Sequence, residues 1–268
     1  MIRTVLMMGS LGVLAAASPA QERPYAPLAS PVSALCPDGL CQPQGLASFF
    51  TALDRPGPPV RIVQFGDSHT AAGDIEAAFL WRLRGRFERR AIELSSYGLV
   101  GVTLRDLAAR APLLSPDAPA PDLVVLAYGT NDGFDDGLDA VAYEALLRAQ
   151  VERVRQAAPG ASLLILGAPE ALRGAGEGTC PGDLERRWTA PAGLAVVREV
   201  QHRVAASERV AFWDWKGRMG GDCSAFALAQ GETPLMRGDG VHFTRDGGDW
   251  IGGLLFADLM TAYARRGG

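Results

Sequence analysis

The sequence predicts an α/β domain, doubly wound around a parallel sheet, and three observations carry the prediction. Leu123-Val124-Val125-Leu126-Ala127 and Ser162-Leu163-Leu164-Ile165-Leu166 are apolar without alternation, as suits parallel strands covered on both faces. Segments of helical period separate such runs, which is the βαβα order of a parallel sheet with right-handed crossovers. Glycine or small polar residues follow the apolar runs, where the functional loops of such sheets collect. At 268 residues, with 48% hydrophobic and 21% charged, the chain suits one domain with a full core.

Residues 1–20 have a basic start at Arg3, an apolar centre from Val5 to Ala17 and small residues up to Ala20, the pattern of a signal peptide. The alternative, an uncleaved anchor, is weakened by Gly9, Ser10 and Gly12, which interrupt a run already short for a membrane span. An exported, periplasmic or secreted chain with no stable membrane insertion after cleavage is therefore expected. Loss of Arg3 moves the formal net charge from −4 to −5, and a mildly acidic surface with scattered arginines excludes nucleic acid as the expected partner. Four cysteines in an exported chain predict two disulfides. Cys36 and Cys41 bracket the turn-like Pro37-Asp38-Gly39-Leu40, which leaves Cys180 with Cys223, each in a loop after a predicted strand; the alternative is that this second pair stays reduced.

Residues 21–58 read as an extended, proline-rich leader with a short apolar helix from Leu46 to Leu53, and residues 59–268 as the main domain. The first strand is Val60 to Phe65, ended by Gly66. The helix from about Asp74 to Arg89 places Ile75, Ala78, Phe79, Leu83 and Phe87 on one face. Ala91 to Ser95 is the second strand, followed by a glycine-marked loop through Gly98 and Gly101 and a short helix from Thr103 to Ala111. The third strand, Leu123–Ala127, runs into Gly129-Thr130-Asn131-Asp132, and a helix from Val141 to Ala158 leads to the fourth, Ser162–Leu166. A long loop with Cys180, a helix from Leu194 to Ser207, a fifth strand at Val210–Trp213 and a final helix from about Gly248 to Arg265 complete the order.

Ser68 follows the first strand at a tight strand-to-helix bend, where a serine hydroxyl is exposed beside backbone N–H groups. An isolated Gly66-Asp67-Ser68 also reads as a helix cap. A serine nucleophile needs a histidine base and an acid to orient its ring. Three histidines are available. His69 adjoins Ser68, so its side chain diverges from the serine's and reads as structural. His202 lies on a charged helix face and reads as solvated. His242, in Asp239-Gly240-Val241-His242, has a carboxylate three residues earlier that can reach one ring nitrogen while the other faces Ser68. The N–H groups of Ser68 and Gly101 and the side-chain amide of Asn131 can converge on a developing oxyanion.

Gly66-Asp67-Ser68, Gly101 before Val102-Thr103, Gly129-Thr130-Asn131-Asp132 and Asp239-x-x-His242 resemble, in order, the four sequence blocks of the SGNH/GDSL hydrolases over about residues 60–265. The resemblance implies a three-layer, flavodoxin-like α/β/α sandwich around a parallel five-stranded sheet. It also implies Ser68 as nucleophile, His242 as base, Asp239 as its partner, Ser68, Gly101 and Asn131 as oxyanion donors, and no metal or cofactor. His69, Thr70 and Asp74, with Trp213-Asp214-Trp215 and Met219-Gly220-Gly221, are similar to exported bacterial members that include peptidoglycan O-acetylesterases. The expected function is an exported serine esterase acting on acylated carbohydrate or small esters, removing small acyl groups, O-acetyl first, from cell-wall or other polysaccharide. Trp188, Trp213 and Trp215 are candidate sugar-stacking platforms, set against core packing.

Three rivals remain. An O-acetyltransferase would use the same triad and acyl-serine. A non-catalytic wall-binding protein would keep the fold alone. A metallophosphoesterase would use Asp67-x-His69 as metal ligands, but a two-metal site needs more histidines than this sequence carries.

Overall fold

The computed structural model describes residues 35–115, 117–174, 176, 178 and 180–266. The expected signal peptide and the leader as far as residue 34 lie outside them. Six strands form one sheet: β1 (Leu40–Cys41), β2 (Val60–Gly66), β3 (Ile92–Gly98), β4 (Leu123–Ala127), β5 (Ser162–Leu166) and β6 (Ala211–Trp213). Their order is β1-β6-β5-β4-β2-β3, and every pairing is parallel except that of β1 with β6. The five parallel strands are those the apolar runs predict. The sixth, β1, is two residues long, too short to show a period, and it draws the described part of the leader into the domain. Leu40 and Leu46 are buried, so this segment contributes to the core instead of lying over it.

Two helical layers cover the sheet because alternate residues of each buried strand face opposite ways. Leu123 and Val125 of β4 share one cluster with Phe49 and Phe50 of α1 (Ala47–Asp54), Phe79 and Leu83 of α3 (Asp74–Arg86), and Ile251 and Leu255 of α10 (Arg245–Arg265). Val124 and Leu126 share the other with Leu147 and Val151 of α6 (Ala140–Ala157) and Val197 and Val200 of α7 (Ala192–Glu208). Each large side chain so buried contributes about 1.5–3 kcal/mol, which makes these two interfaces the main source of stability.

Four further short helices are α2 (Ser68–Ala72), α5 (Thr130–Gly133), α8 (Trp215–Met219) and α9 (Ser224–Leu228), while α4 spans Leu104–Ala109. The first four are five residues or fewer, below the length at which apolar periodicity identifies a helix. The last helix starts three residues before the expected Gly248, because Thr244 caps it by accepting the Gly247 N–H through Oγ1.

Strand register sets the site. Gly66 pairs with Gly98 on one side and Ala127 on the other, so β2, β3 and β4 end level on one rim. The segments that follow carry Ser68 at the start of α2, Gly101 in the loop after β3, and Asn131 in α5.

Candidate active site

The bend after β2 is built by Asp67. Its carboxylate caps α2, accepting the His69 N–H at 3.0 Å, so Asp67 is the cap and Ser68 the first helical residue. Ser68 is half-buried at the helix start. Gly98 lets α2 approach: a Cβ there would lie 2.2 Å from the Ala71 nitrogen. Gly101 differs, with open space around a would-be Cβ and φ +77°, so its requirement is backbone conformation.

The turn after the long carboxyl-terminal loop supplies the other partners. Asp239 Oδ1 accepts the N–H groups of Val241 and His242, each at 2.9 Å, and Oδ2 lies 2.9 Å from His242 Nδ1. A carboxylate only accepts, so Nδ1 carries the proton and Nε2 presents its lone pair. That lone pair faces Ser68 Oγ at 2.9 Å. Burial favours the protonated acid at Asp239, but the His242 and Val241 N–H groups and the His242 ring outweigh it and hold the pKa below the ordinary carboxylate value. Ser68 in the bend after β2 and the Asp239–His242 turn, distant in sequence, thus form a continuous hydrogen-bonded chain.

Neighbouring segments brace this turn. The Leu172 N–H donates to the Gly240 carbonyl at 2.8 Å, and the Trp188 ring lies where a Cβ on Gly240 would be. Both residues belong to the loop that the Cys180–Cys223 disulfide ties down; the second disulfide joins Cys36 and Cys41.

On the opposite side, Asn131 donates through Nδ2 to the Val102 carbonyl at 2.7 Å, and Asp132 accepts the Leu104 N–H at 3.2 Å. These bonds fix the Gly101 loop to the loop after β4. Burial raises the Asp132 pKa to about 6. One amide hydrogen of Asn131 is thereby committed to the loop, and the amide carries a second.

His69 is 4% exposed. Its Nδ1 lies 3.1 Å from Asp67 Oδ1 and its Nε2 3.0 Å from the Val241 carbonyl oxygen. Burial by itself would lower the His69 pKa, but Asp67 and the Val241 carbonyl raise it overall; burial would raise Asp67, and His69 keeps it lowered. Both ring nitrogens of His69 already face oxygens within hydrogen-bond distance, an arrangement that disfavours the Asp-x-His metal reading. Below it Gln64 donates to Thr70 Oγ1 at 2.9 Å and to Glu76, whose pKa burial raises to about 7.

A cavity of about 340 Å³ opens over Ser68 and His242, walled by Ala71, Ile75, Val100 and Phe243, with Arg237 at its edge. A larger cleft of about 600 Å³ beside β3 includes neither Ser68 nor a histidine. Two of the three candidate stacking platforms are excluded, since Trp213 and Trp215 are 0% and 3% exposed and belong to the core. His202 is half-buried with its ring edge-on to Phe212, not solvated, because α7 turns that face toward β6. The exposed tryptophan is Trp81, on the outer side of α3, which helical periodicity alone did not single out.

The model of the GDSL-like lipase/acylhydrolase family matches residues 65–250. Among solved structures, a peptidoglycan O-acetylesterase superposes with a TM-score of 0.71 at 19% identity, covering 82% of this chain and 96% of its own. An acetylxylan esterase from Geobacillus stearothermophilus gives 0.54 at 19% identity, with 77% and 95% covered. A lipase/acylhydrolase from Enterococcus faecalis gives 0.53 at 19%, with 77% and 96% covered. No curated protein matches the sequence. At these identities the structural likeness carries the fold, a three-layer α/β/α arrangement.

Proposed function

We propose that this chain, which belongs to the GDSL-like lipase/acylhydrolase family and is a carboxylic ester hydrolase, is an exported serine esterase that removes O-acetyl groups from cell-wall or other polysaccharide. The observation that carries the reading is the chain Ser68 Oγ, His242 Nε2, His242 Nδ1, Asp239 Oδ2, with both links at 2.9 Å, at the floor of a small cavity. Ser68 Oγ attacks the ester carbonyl as Nε2 takes its proton, and Asp239 stabilises the imidazolium that forms. Negative charge on the carbonyl oxygen falls to the N–H groups of Ser68 and Gly101 and the second amide hydrogen of Asn131. His242 then gives its proton to the departing sugar oxygen, leaving an acyl-serine. Water, deprotonated by His242, attacks this ester; the bond to Ser68 Oγ breaks, His242 returns the proton to that oxygen, and acetate leaves.

Small acyl groups are favoured by the cavity's size and by the apolar side chains of Ala71, Ile75 and Val100 around Ser68. Polysaccharide substrates are favoured by the peptidoglycan and xylan esterases among the structural neighbours, all at low identity. Export is favoured by two disulfides, which persist in oxidising compartments, and by the signal-like start. No helix among the described residues is long and apolar enough to cross a membrane. Transfer to a sugar hydroxyl would use the same acyl-serine and differ only in the attacking group. The test is acetate release from O-acetylated peptidoglycan, acetylated xylan and a small aryl acetate, with and without a sugar acceptor. Acetate from the polymers establishes the reading; hydrolysis of the aryl ester alone removes the polysaccharide, and acetylated acceptor in place of acetate reassigns the chain to transfer.

A further inference from the structure

The residue beside the nucleophile, His69, has no part in the chemistry above, yet both its ring nitrogens make polar contacts at the site. Asp67 Oδ1 already accepts the His69 N–H, so this oxygen serves as an acceptor toward the ring as well. A carbonyl oxygen such as that of Val241 can only accept. A neutral imidazole has one N–H and one lone pair and would turn that lone pair against one of these two oxygens. Both contacts are satisfied together only when both ring nitrogens carry hydrogen. The ring sits edge-on to Trp215 at 5.3 Å and Phe243 at 5.9 Å, which shield it from water. Its charged neighbours are Asp67 in the β2–α2 bend and Glu76 on α3, with the His242 ring 5.5 Å away in the Asp239 turn.

Val241 immediately precedes His242. Two adjacent links therefore join the nucleophile loop to the acid–base turn: Ser68 Oγ to His242 Nε2 at 2.9 Å, and His69 Nε2 to the Val241 oxygen at 3.0 Å. The first link breaks and re-forms in every turnover, because its proton moves. The second involves no reacting atom.

We propose that His69 is a positioning residue: a doubly protonated ring, donating to Asp67 on one side and to the Val241 carbonyl on the other, that keeps His242 opposite Ser68 while the Ser68–His242 bond is broken and remade. This rests on the reading of Ser68 and His242 as nucleophile and base.

Three substitutions separate the clamp from simple packing. His69→Gln brings an amide nitrogen to about the place of Nε2 and keeps a donor for Val241. His69→Asn ends near the place of Nδ1 and cannot reach Val241. His69→Phe keeps the ring between Trp215 and Phe243 and loses both donors. With a small aryl acetate, kcat is expected to fall about a hundredfold in the Asn and Phe variants, as for a catalytic group displaced by about 1 Å, and to return to within about tenfold of wild type in the Gln variant, with KM little changed. Equal kcat in the Gln and Asn variants overturns the clamp. Because a buried substitution can unfold the chain, nitrogen NMR of histidine-labelled wild-type protein supplies a second measurement. At about pH 8, where an ordinary imidazole is neutral, both ring nitrogens of His69 should carry protons. A singly protonated ring overturns the proposal. An inactive wild-type chain would instead overturn the esterase reading, since the nitrogen signals report on His69 without any turnover.

Discussion

Asn131 Nδ2 and the carbonyl oxygen of Val102 are 2.7 Å apart, and this bond sets the position of the Gly101 loop relative to Ser68. Asn131→Ala removes the proposed oxyanion donor and the tether together. The expected outcome is a loss of about 10²- to 10³-fold in kcat toward a small aryl acetate, with KM nearly unchanged. Steady-state kinetics on folded variant checks this, and a change confined to KM would show that Asn131 binds substrate without stabilising the oxyanion.

Ser68→Ala and His242→Ala are each expected to abolish turnover while leaving the unfolding midpoint close to wild type, since both side chains face the cavity. Asp239→Asn offers the His242 ring an amide that can turn its N–H toward Nδ1, which favours the wrong tautomer and costs about 10⁴-fold in kcat. Circular dichroism with kinetics on the three variants distinguishes loss of chemistry from loss of fold.

Glu76 gives a stability signature. Its folded pKa, raised to about 7, exceeds the unfolded value near 4.5, so the native chain binds more protons across that interval and stability falls as pH rises through it. The full contribution is about 3 kcal/mol at the conversion of 1.36 kcal/mol per pKa unit. Glu76→Gln mimics the protonated acid toward Gln64 and removes this slope. Urea unfolding at about pH 5 and pH 8 should therefore show the variant gaining stability relative to wild type at the higher pH. Asp132 and Asp258, each raised to about 6, add slopes of the same sign that both proteins share and that cancel in the comparison.

The Cys180–Cys223 disulfide spans 43 positions and holds the loop whose Trp188 rests on Gly240. Replacing both cysteines with serine should lower stability by roughly 3–4 kcal/mol through the freed loop, and should lower kcat as well. The Cys36–Cys41 pair closes only 5 positions and braces no part of the site, so its removal should leave kcat unchanged. Paired unfolding and kinetic measurements on the two double variants test the difference.

Most of the fold is legible in the sequence because its signals are local. Runs such as Leu123–Ala127 are apolar throughout, and the stripe of Ile75, Phe79 and Leu83 repeats at the helical period, so strands and long helices declare themselves. Strand β1 and helices α2, α5, α8 and α9 do not, since two to five residues cannot display a period. Trp213 and Trp215 show the same limit for side chains: an aromatic residue near a strand end reads equally as a sugar platform or as core until burial decides it.

By itself, the sequence singled out the candidates for nucleophile, base and acid, because a glycine-bounded Ser68 and an Asp239-x-x-His242 step are recognisable from their immediate neighbours. Tertiary structure alone decided how they meet. Ser68 and His242 are 174 positions apart and His69 and Val241 are 172 apart, so both contacts depend on the register that ends β2, β3 and β4 on one rim and on the packing that seats the Asp239 turn above it. No local pattern encodes such a contact, and for that reason a histidine next to the nucleophile, bland in sequence, turns out to lie within hydrogen-bond distance of both Asp67 and the Val241 carbonyl.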